Sequence, residues 1–409
     1  MCCILPQKAI LFKSMSDLKQ LISRLVDSIY PSAEALENTL SAGKKLRIYI
    51  GIDPTAPDLH LGHSTNFLLL KKFQEIGHKI ILLVGDFTAA IGDPSGQTTD
   101  RRHLTREEVL ANVKTYKDQI AKIVSFNGEN PAEFRFNSEW LDKLKSQELI
   151  RLAANSTIQQ LLERDMFQKR IKAGNPISVH EFLYPLFQGY DSVALNTDVE
   201  VGGTDQTFNM LIGRELVKRY LNKEKFVITT KLLINPKTGR KLMSKSEGNY
   251  ISLQDKPNDI YGRAMALPDE VVFECFNLCT SLPEKEVEEI KKTKIMQAKK
   301  RLAFELVALY YSNKEAKDSQ AEFERVFQKG GLLETKKVGS KTGEMAAIDF
   351  IVNLEIATSR SEARRLIEQG GVKINQEKVT DPNQLIKIGI GTIAQIGKLK
   401  AVEVISRKD

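Results

Sequence analysis

The sequence predicts an α/β chain: a parallel-sheet domain, followed by an α-helical domain and a small α+β module. Three observations predict it. Two apolar runs, Leu46 to Asp53 and Ile80 to Gly85, enclose a loop and a helical pattern; such strand, loop, helix, strand units build parallel sheets. After Lys256 and Pro257 the apolar spacing becomes helical through Phe327, as at Leu302, Leu306, Leu309 and Tyr310. Beyond Met345 a capped helix gives way to alternating residues.

Taken in order, the first fourteen residues contain no acidic residue and lack the length and apolar content of a secretory signal. Met15 reads as a better start, because Leu18, Leu21, Ile22 and Leu25 open an ordinary helix after it. In the run Leu46 to Asp53, Arg47 is the only charged residue before Asp53, so the segment reads as a buried strand, broken by Pro54, Pro57 and Asp58. A helix is expected from Ser64, with Phe67, Leu68, Leu70 and Phe73 as its apolar positions and Gly77 as its stop. His60 and His63 thereby fall at the carboxyl end of the first strand, where such sheets bind ligands. Neither a Gly-x-Gly-x-x-Gly fingerprint nor a Walker P-loop is present, so a nucleotide must be held another way.

With 409 residues, 42% of them hydrophobic, the chain is long enough for two or three cores. No apolar stretch reaches the roughly 18 residues that a membrane helix needs. The cysteines, Cys2, Cys3, Cys275 and Cys279, form no disulfide framework, and five histidines supply no zinc-type cluster. A reducing cytoplasm is expected, with Cys275 and Cys279 packed in a helical core. The net charge of +8 suits a polyanionic partner.

Two short motifs stand far apart: His60-Leu61-Gly62-His63 and Lys241-Leu242-Met243-Ser244-Lys245-Ser246. Imidazoles at a helix start donate to phosphate oxygens where backbone N–H groups already favour negative charge, and two lysines on a loop close over the same phosphates. The pair resembles the nucleotide-binding signatures of class I aminoacyl-tRNA synthetases. Further blocks narrow the resemblance to the tyrosyl-tRNA synthetase family of bacterial type: Tyr49 to Thr55, Gly85 to Gly96, Tyr184 to Asp191 and Val201 to Gln206, in that order. From about Met345 onward the chain resembles the S4 RNA-binding module of that family.

The resemblance implies a Rossmann-like catalytic domain with a connective insertion over residues 46–255, after an N-terminal extension and helix over 1–45. A helical tRNA-contacting domain over 256–329, a flexible linker over 330–344 and the S4-like module over 345–409 complete the expected layout. It also implies ATP and L-tyrosine as substrates, tRNA(Tyr) as partner, a homodimer, and Mg²⁺ carried on ATP with no protein metal site. Tyr184, Gln188 and Asp93 are expected to hold the substrate ammonium, with Gln206 beside them, while Tyr49 and Asp191 bracket its phenolic hydroxyl. An ammonium needs acceptors and negative charge, and a buried phenol needs an acceptor and a donor. The carboxylate of the amino acid attacks the α-phosphorus without a general base, being ionised already at neutral pH. Thr55, His60, His63 and Lys245, with Lys241, are expected on the β- and γ-phosphates. Gly51, Asp53, Gly62, Gly203 and Asp205 are expected around the rest of ATP, the last two at the ribose.

The lysine loop departs from the family pattern, which has lysine immediately before Met-Ser-Lys-Ser; here Leu242 holds that place and the lysine stands one earlier. Lys241 or Arg240 is expected to substitute. Lys291, Lys292, Lys294, Lys299, Lys300 and Arg301 concentrate positive charge on one helical region, either a solvated face or a contact for the tRNA backbone. In the last module Ser359 and Glu362 form a capping box and Gly370 ends the helix. Arg360, Arg364, Arg365 and Lys373 are the expected RNA-binding residues. A tryptophanyl-tRNA synthetase, and a non-catalytic RNA-binding descendant of a synthetase, are the rival readings.

Overall fold

The computed structural model describes residues 17–95, 104–243, 250–327, 336–340, 342–396 and 400–406. Cys2, Cys3, the start at Met15, and Ser244, Lys245 and Ser246 of the lysine loop lie outside the described residues. The chain divides into two compact units at Ala316 and Lys317.

The first unit is built on six strands: β1 (Val26–Tyr30), β2 (Arg47–Ile52), β3 (Lys79–Val84), β4 (Glu133–Phe136), β5 (Val199–Gly203) and β6 (Phe226–Thr230). Their order is β1-β6-β5-β2-β3-β4. All neighbours run parallel except β1, which pairs antiparallel with β6. Residues 26–30, expected in an N-terminal extension, thus form an edge strand of the sheet. The chain leaves β2 through β3 to β4, then crosses to β5 on the other side of β2. β2 and β5 therefore enclose the switch point, where a crevice opens at the carboxyl ends of the strands. Buried Ile48, Ile80, Ile81, Leu82, Leu83, Val199 and Val201 carry the sheet's core, as expected for parallel strands covered on both faces.

The first crossover is as read from the sequence: Ser64–Glu75 is helical, with Phe67, Leu68, Leu70 and Phe73 buried, and Gly77 follows at φ +88°. Long crossover elements then bring in the helices Val179–Ala194 and Thr207–Leu221, which pack on each other.

The helices Pro257–Ala266, Val272–Cys279, Glu284–Lys291 and Ile295–Tyr310 belong to this same unit, rather than to a separate helical domain. The reason is contact with the first crossover. Ser64 Oγ lies 2.6 Å from the Tyr310 hydroxyl, and Thr65 Oγ1 donates to the Leu278 carbonyl at 3.1 Å. Cys275 and Cys279 are buried free thiols in this packing. Among the described residues no helix is long and apolar enough to cross a membrane.

In the second unit, residues 336–340 are strand β7, parallel to β13 (Lys400–Ser406), where a flexible linker was expected. Backbone pairing, which glycine and lysine do not prevent, orders this segment. β8 (Gly343–Ala346) pairs with β11 (Leu385–Ile388), and β9 (Val372–Ile374), β10 (Glu377–Val379) and β12 (Ile393–Ile396) complete the larger sheet. The helices Ala347–Asn353 and Arg360–Glu368 cover one apolar core that includes Phe350, Ile351, Ala363 and Ile367.

Candidate active site

A cavity of about 760 Å³ occupies the switch point, a volume suited to a small-molecule site. Gly51 and Asp53 at the end of β2, and Gly203 and Asp205 at the end of β5, stand across it from each other. Thr55, His60, Gly62, His63, Asp93, Tyr184, Gln188, Asp191, Gln206 and Lys241 also line it. Residues far apart in sequence and expected to act together are thus brought together, with the amino-acid set and the phosphate set around one space.

The histidine segment is held from both sides. His60 pairs with Ser252 in an antiparallel bridge, Leu61 N donates to the Ile251 carbonyl at 3.0 Å, and Leu253 N donates to the Leu59 carbonyl at 2.9 Å. His60 Nδ1 accepts from the Gly62 amide at 3.2 Å, so a neutral His60 carries its proton on Nε2. His63 Nδ1 lies 3.2 Å from the His60 amide, in a reciprocal cap of the short helical turn. Burial lowers the His63 pKa to about 4, so the ring is neutral at pH 7. A Cβ at position 62 would come within 3.1 Å of the His60 ring; Gly62 makes room first for that imidazole. A Cβ at Gly51 would meet nothing within 4 Å, which leaves open space beside β2 for a ligand.

At the acidic end, Asp93 Oδ1 accepts from the Ser95 amide at 2.9 Å and Oδ2 accepts from Gln206 Nε2 at 2.7 Å. Asp53, expected on ATP, accepts from Thr88 Oγ1 and from the Tyr184 hydroxyl, each at 2.8 Å. Its carboxylate therefore fixes Tyr184, whose pKa burial pushes well up. Gln188 donates from Nε2 to Glu200 at 3.3 Å, while its Oε1 is buried without a hydrogen-bond partner. An unpaired buried acceptor is costly, and here it marks a place for a donor from a ligand. Asp191 Oδ1 accepts from Trp140 Nε1 at 2.8 Å and Oδ2 from Asn137 Nδ2 at 3.2 Å. Burial raises the Asp191 pKa, and those two donors oppose the rise.

Tyr49 and Asp191, expected to bracket one phenol, stand differently toward the cavity. Tyr49 is fully buried and does not line the cavity; its hydroxyl lies 2.7 Å from Ser192 Oγ. Of the pair expected to bracket a phenol, only Asp191 faces the space. Residues 137 and 140 were missed from the sequence, although Trp140 is the single tryptophan of the chain. Glu200, which lines the cavity, and Lys225 behind it were missed too, and form a buried ion pair.

The lysine question has a structural answer for its described part. Ile234 and Lys241 form an antiparallel bridge, and Leu242, which holds the place of the family's lysine, is buried. Lys241 lines the cavity and pairs with Asp205 at 2.7 Å; Arg240 does not line it. The basic cluster on the later helices is met by acids: Lys291 pairs with Glu288, Lys292 with Glu289, Lys299 with Asp269, and Arg301 with Glu286 and Glu305. That neutralisation leaves less field for an RNA backbone than the sequence suggested.

In the second unit Arg364, Arg365 and Lys373 are exposed, whereas Arg360 pairs with Asp349 at 2.8 Å. Ser359 caps the helix by accepting from the Glu362 amide at 3.2 Å, while Glu362 Oε2 accepts from the Thr358 amide. The return arm of the capping box thus falls one residue earlier than expected.

Residues 41–328 match the family model of class I tRNA synthetases for tryptophan and tyrosine, and residues 348–389 match the S4 domain. A tyrosine–tRNA ligase of Moorella thermoacetica is 43% identical over 93% of this chain and 94% of its own length. That of Aquifex aeolicus is 43% identical over 91% and 95%. The chain belongs to the tyrosine–tRNA ligase family. Solved relatives include two C-terminally truncated fungal mitochondrial tyrosyl-tRNA synthetases. The one from Aspergillus nidulans has a TM-score of 0.66 at 24% identity, covering 78% of this chain and 99% of that one. The one from Coccidioides posadasii has 0.62 at 26%, covering 77% and 95%. Family membership accounts for both the cavity at the switch point and the separate S4 unit.

Proposed function

We propose that the chain works as a tyrosine–tRNA ligase, joining L-tyrosine to ATP as an enzyme-bound tyrosyl-adenylate with release of pyrophosphate, then passing tyrosine to the 3′-terminal adenosine of tRNA(Tyr). The observation that carries this reading is the single cavity with an acidic, hydrogen-bonded end and a histidine–lysine end. The ammonium binds Asp93, the Tyr184 oxygen and the orphaned Gln188 Oε1; the phenol donates to Asp191. Such a site rejects an analogue lacking the hydroxyl because buried polar groups are left unpaired, an effect for which tyrosyl enzymes are themselves the standard example.

Activation then needs positioning and charge stabilisation. The tyrosine carboxylate attacks the α-phosphorus while Thr55, the Nε2 protons of His60 and His63, and Lys245 meet the departing phosphates. Asp205 and Gly203 serve the ribose, and Lys241 exchanges its Asp205 partner for the nucleotide. Mg²⁺ accompanies the ATP, held mainly by phosphate oxygens and water. Arg364, Arg365 and Lys373 contact RNA phosphates.

A homodimer fits the exposed apolar side chains Ile150, Ile158, Ile171 and Val179, which a partner surface would cover. A reducing cytoplasm suits the free thiols Cys275 and Cys279.

The test is exchange of labelled pyrophosphate into ATP with tyrosine, phenylalanine or tryptophan as the amino acid. Exchange with tyrosine alone is expected. Exchange with tryptophan instead would move the chain to the tryptophanyl reading, and none with any amino acid would leave only the RNA-binding one.

A further inference from the structure

At the amino-acid end of the cavity Glu200 forms part of the wall, and Lys225 lies behind it in a buried charge cluster. Lys225 is 0% exposed and Glu200 2%. Lys225 Nζ donates to Glu200 Oε2, to Ser192 Oγ at 2.6 Å and to the Met210 carbonyl at 3.3 Å, which uses its three protons. A Cβ on Gly213 would lie 2.6 Å from that nitrogen and 2.9 Å from Ser192 Oγ, so the helix Thr207–Leu221 is cut back where the ammonium sits. A buried ion pair seldom stabilises a fold more than apolar residues of the same shape. Its use is better sought in what it orients.

Glu200 Oε1 faces Gln188 Nε2 at 3.3 Å. A carboxylate only accepts hydrogen bonds, so Gln188 must turn its nitrogen to Glu200 and its oxygen the other way. That oxygen is the buried atom without a partner. With the amide reversed, an NH₂ group would confront the substrate's ammonium and repel it.

We propose that Glu200, with Lys225 as its counter-ion, is a positioning residue: it fixes the Gln188 amide so that the oxygen meets the ammonium of the amino-acid substrate. This rests on the reading of the pocket given above. Lys225 keeps the carboxylate from acting as a second, competing ligand for the ammonium.

Two double variants of the full chain test it, neither of which leaves an unpaired buried charge. Glu200→Gln with Lys225→Met keeps an acceptor for Gln188; Glu200→Met with Lys225→Met removes it. Dissociation constants are measured for L-tyrosine and for 3-(4-hydroxyphenyl)propionate, which lacks the ammonium. The Met/Met variant is expected to bind tyrosine about tenfold more weakly or worse, with the propionate unchanged and the exchange rate at saturating tyrosine preserved. The Gln/Met variant should bind both ligands within about threefold of the parent. Unchanged tyrosine affinity in the Met/Met variant, or equal loss of both ligands, would overturn the proposal. Glu200→Leu with Lys225→Met gives the same reading if the Met/Met chain does not fold. Absence of tyrosine-dependent exchange in the parent would defeat the ligase reading itself, a result separate from any variant's behaviour.

Discussion

In the first unit the polar groups of interest are inside. Asp191, Glu200 and Lys225 are each almost wholly buried and each is tied to named donors or acceptors. The second unit is built the other way, with an apolar core from Ala347 to Val404 and Arg364, Arg365 and Lys373 in solvent. The difference follows from ligand size. A small substrate must be recognised by desolvated groups whose orientation is set beforehand, and each such group is worth much. A polyanion is held by many solvated cations, each worth little and each screened by salt.

The sharpest way to break this contrast is Asp191→Ala. It removes a buried acceptor and leaves Trp140 Nε1 and Asn137 Nδ2 without their partner, so kcat/KM for tyrosine should fall by about 10² to 10³, with phenylalanine much less affected. Equal losses for both amino acids would show that Asp191 only supports the fold. Next in size is His60→Ala, which should cost on the order of 10² in the rate of adenylate formation while tyrosine affinity, measured without ATP, stays the same.

Two histidines, buried His78 and half-buried His63 at the cavity wall, add a pH signature to the first unit. His63 and His78 are both lowered to about 4 by burial, Lys45 adding to the shift at His78. Unfolded, each titrates near 6.5, so the unfolded chain binds more protons between those values. Their contribution to stability is present above about 6.5 and is lost as the pH falls toward and through about 4, at up to ~1.4 kcal/mol per pH unit for each. The denaturant midpoint of this unit should therefore drop from pH 7 to pH 5. His78→Gln, away from the cavity, should make that drop smaller.

The smallest effects belong to the second unit. Arg364→Ala with Arg365→Ala should weaken tRNA binding only severalfold, and the slope of log affinity against log salt should flatten by roughly 0.7 to 0.9 for each lost phosphate contact. Pyrophosphate exchange should not change. A large loss of exchange would mean that these arginines act on the catalytic unit.

Much of the layout was legible from local pattern. The strand at Leu46, the helix from Ser64 and its end at Gly77 follow from apolar spacing and one glycine, because those signals act over a few residues. The motif residues around the cavity were legible because their order along the chain resembled a family. Tyr49 shows the limit of that signal: a tyrosine at the right position in a motif says nothing of where its hydroxyl points, and here the hydroxyl meets Ser192. The segment 336–340 was missed as a strand because its pairing partner, β13, lies more than sixty residues away.

By itself the sequence determined the alternation of strands and helices, the family, and most of the residues that line the cavity, since periodicity, turn residues and motif order are written in one dimension. Only the tertiary structure decided that Gln188 presents its oxygen, that Asp191 rests on Trp140 and Asn137, that Lys241 reaches Asp205, and that Glu200 joins the pocket wall with Lys225 behind it. Those are consequences of desolvation and of hydrogen-bond partners far apart in the chain, and such pairings exist only once the sheet has brought β2 and β5 together.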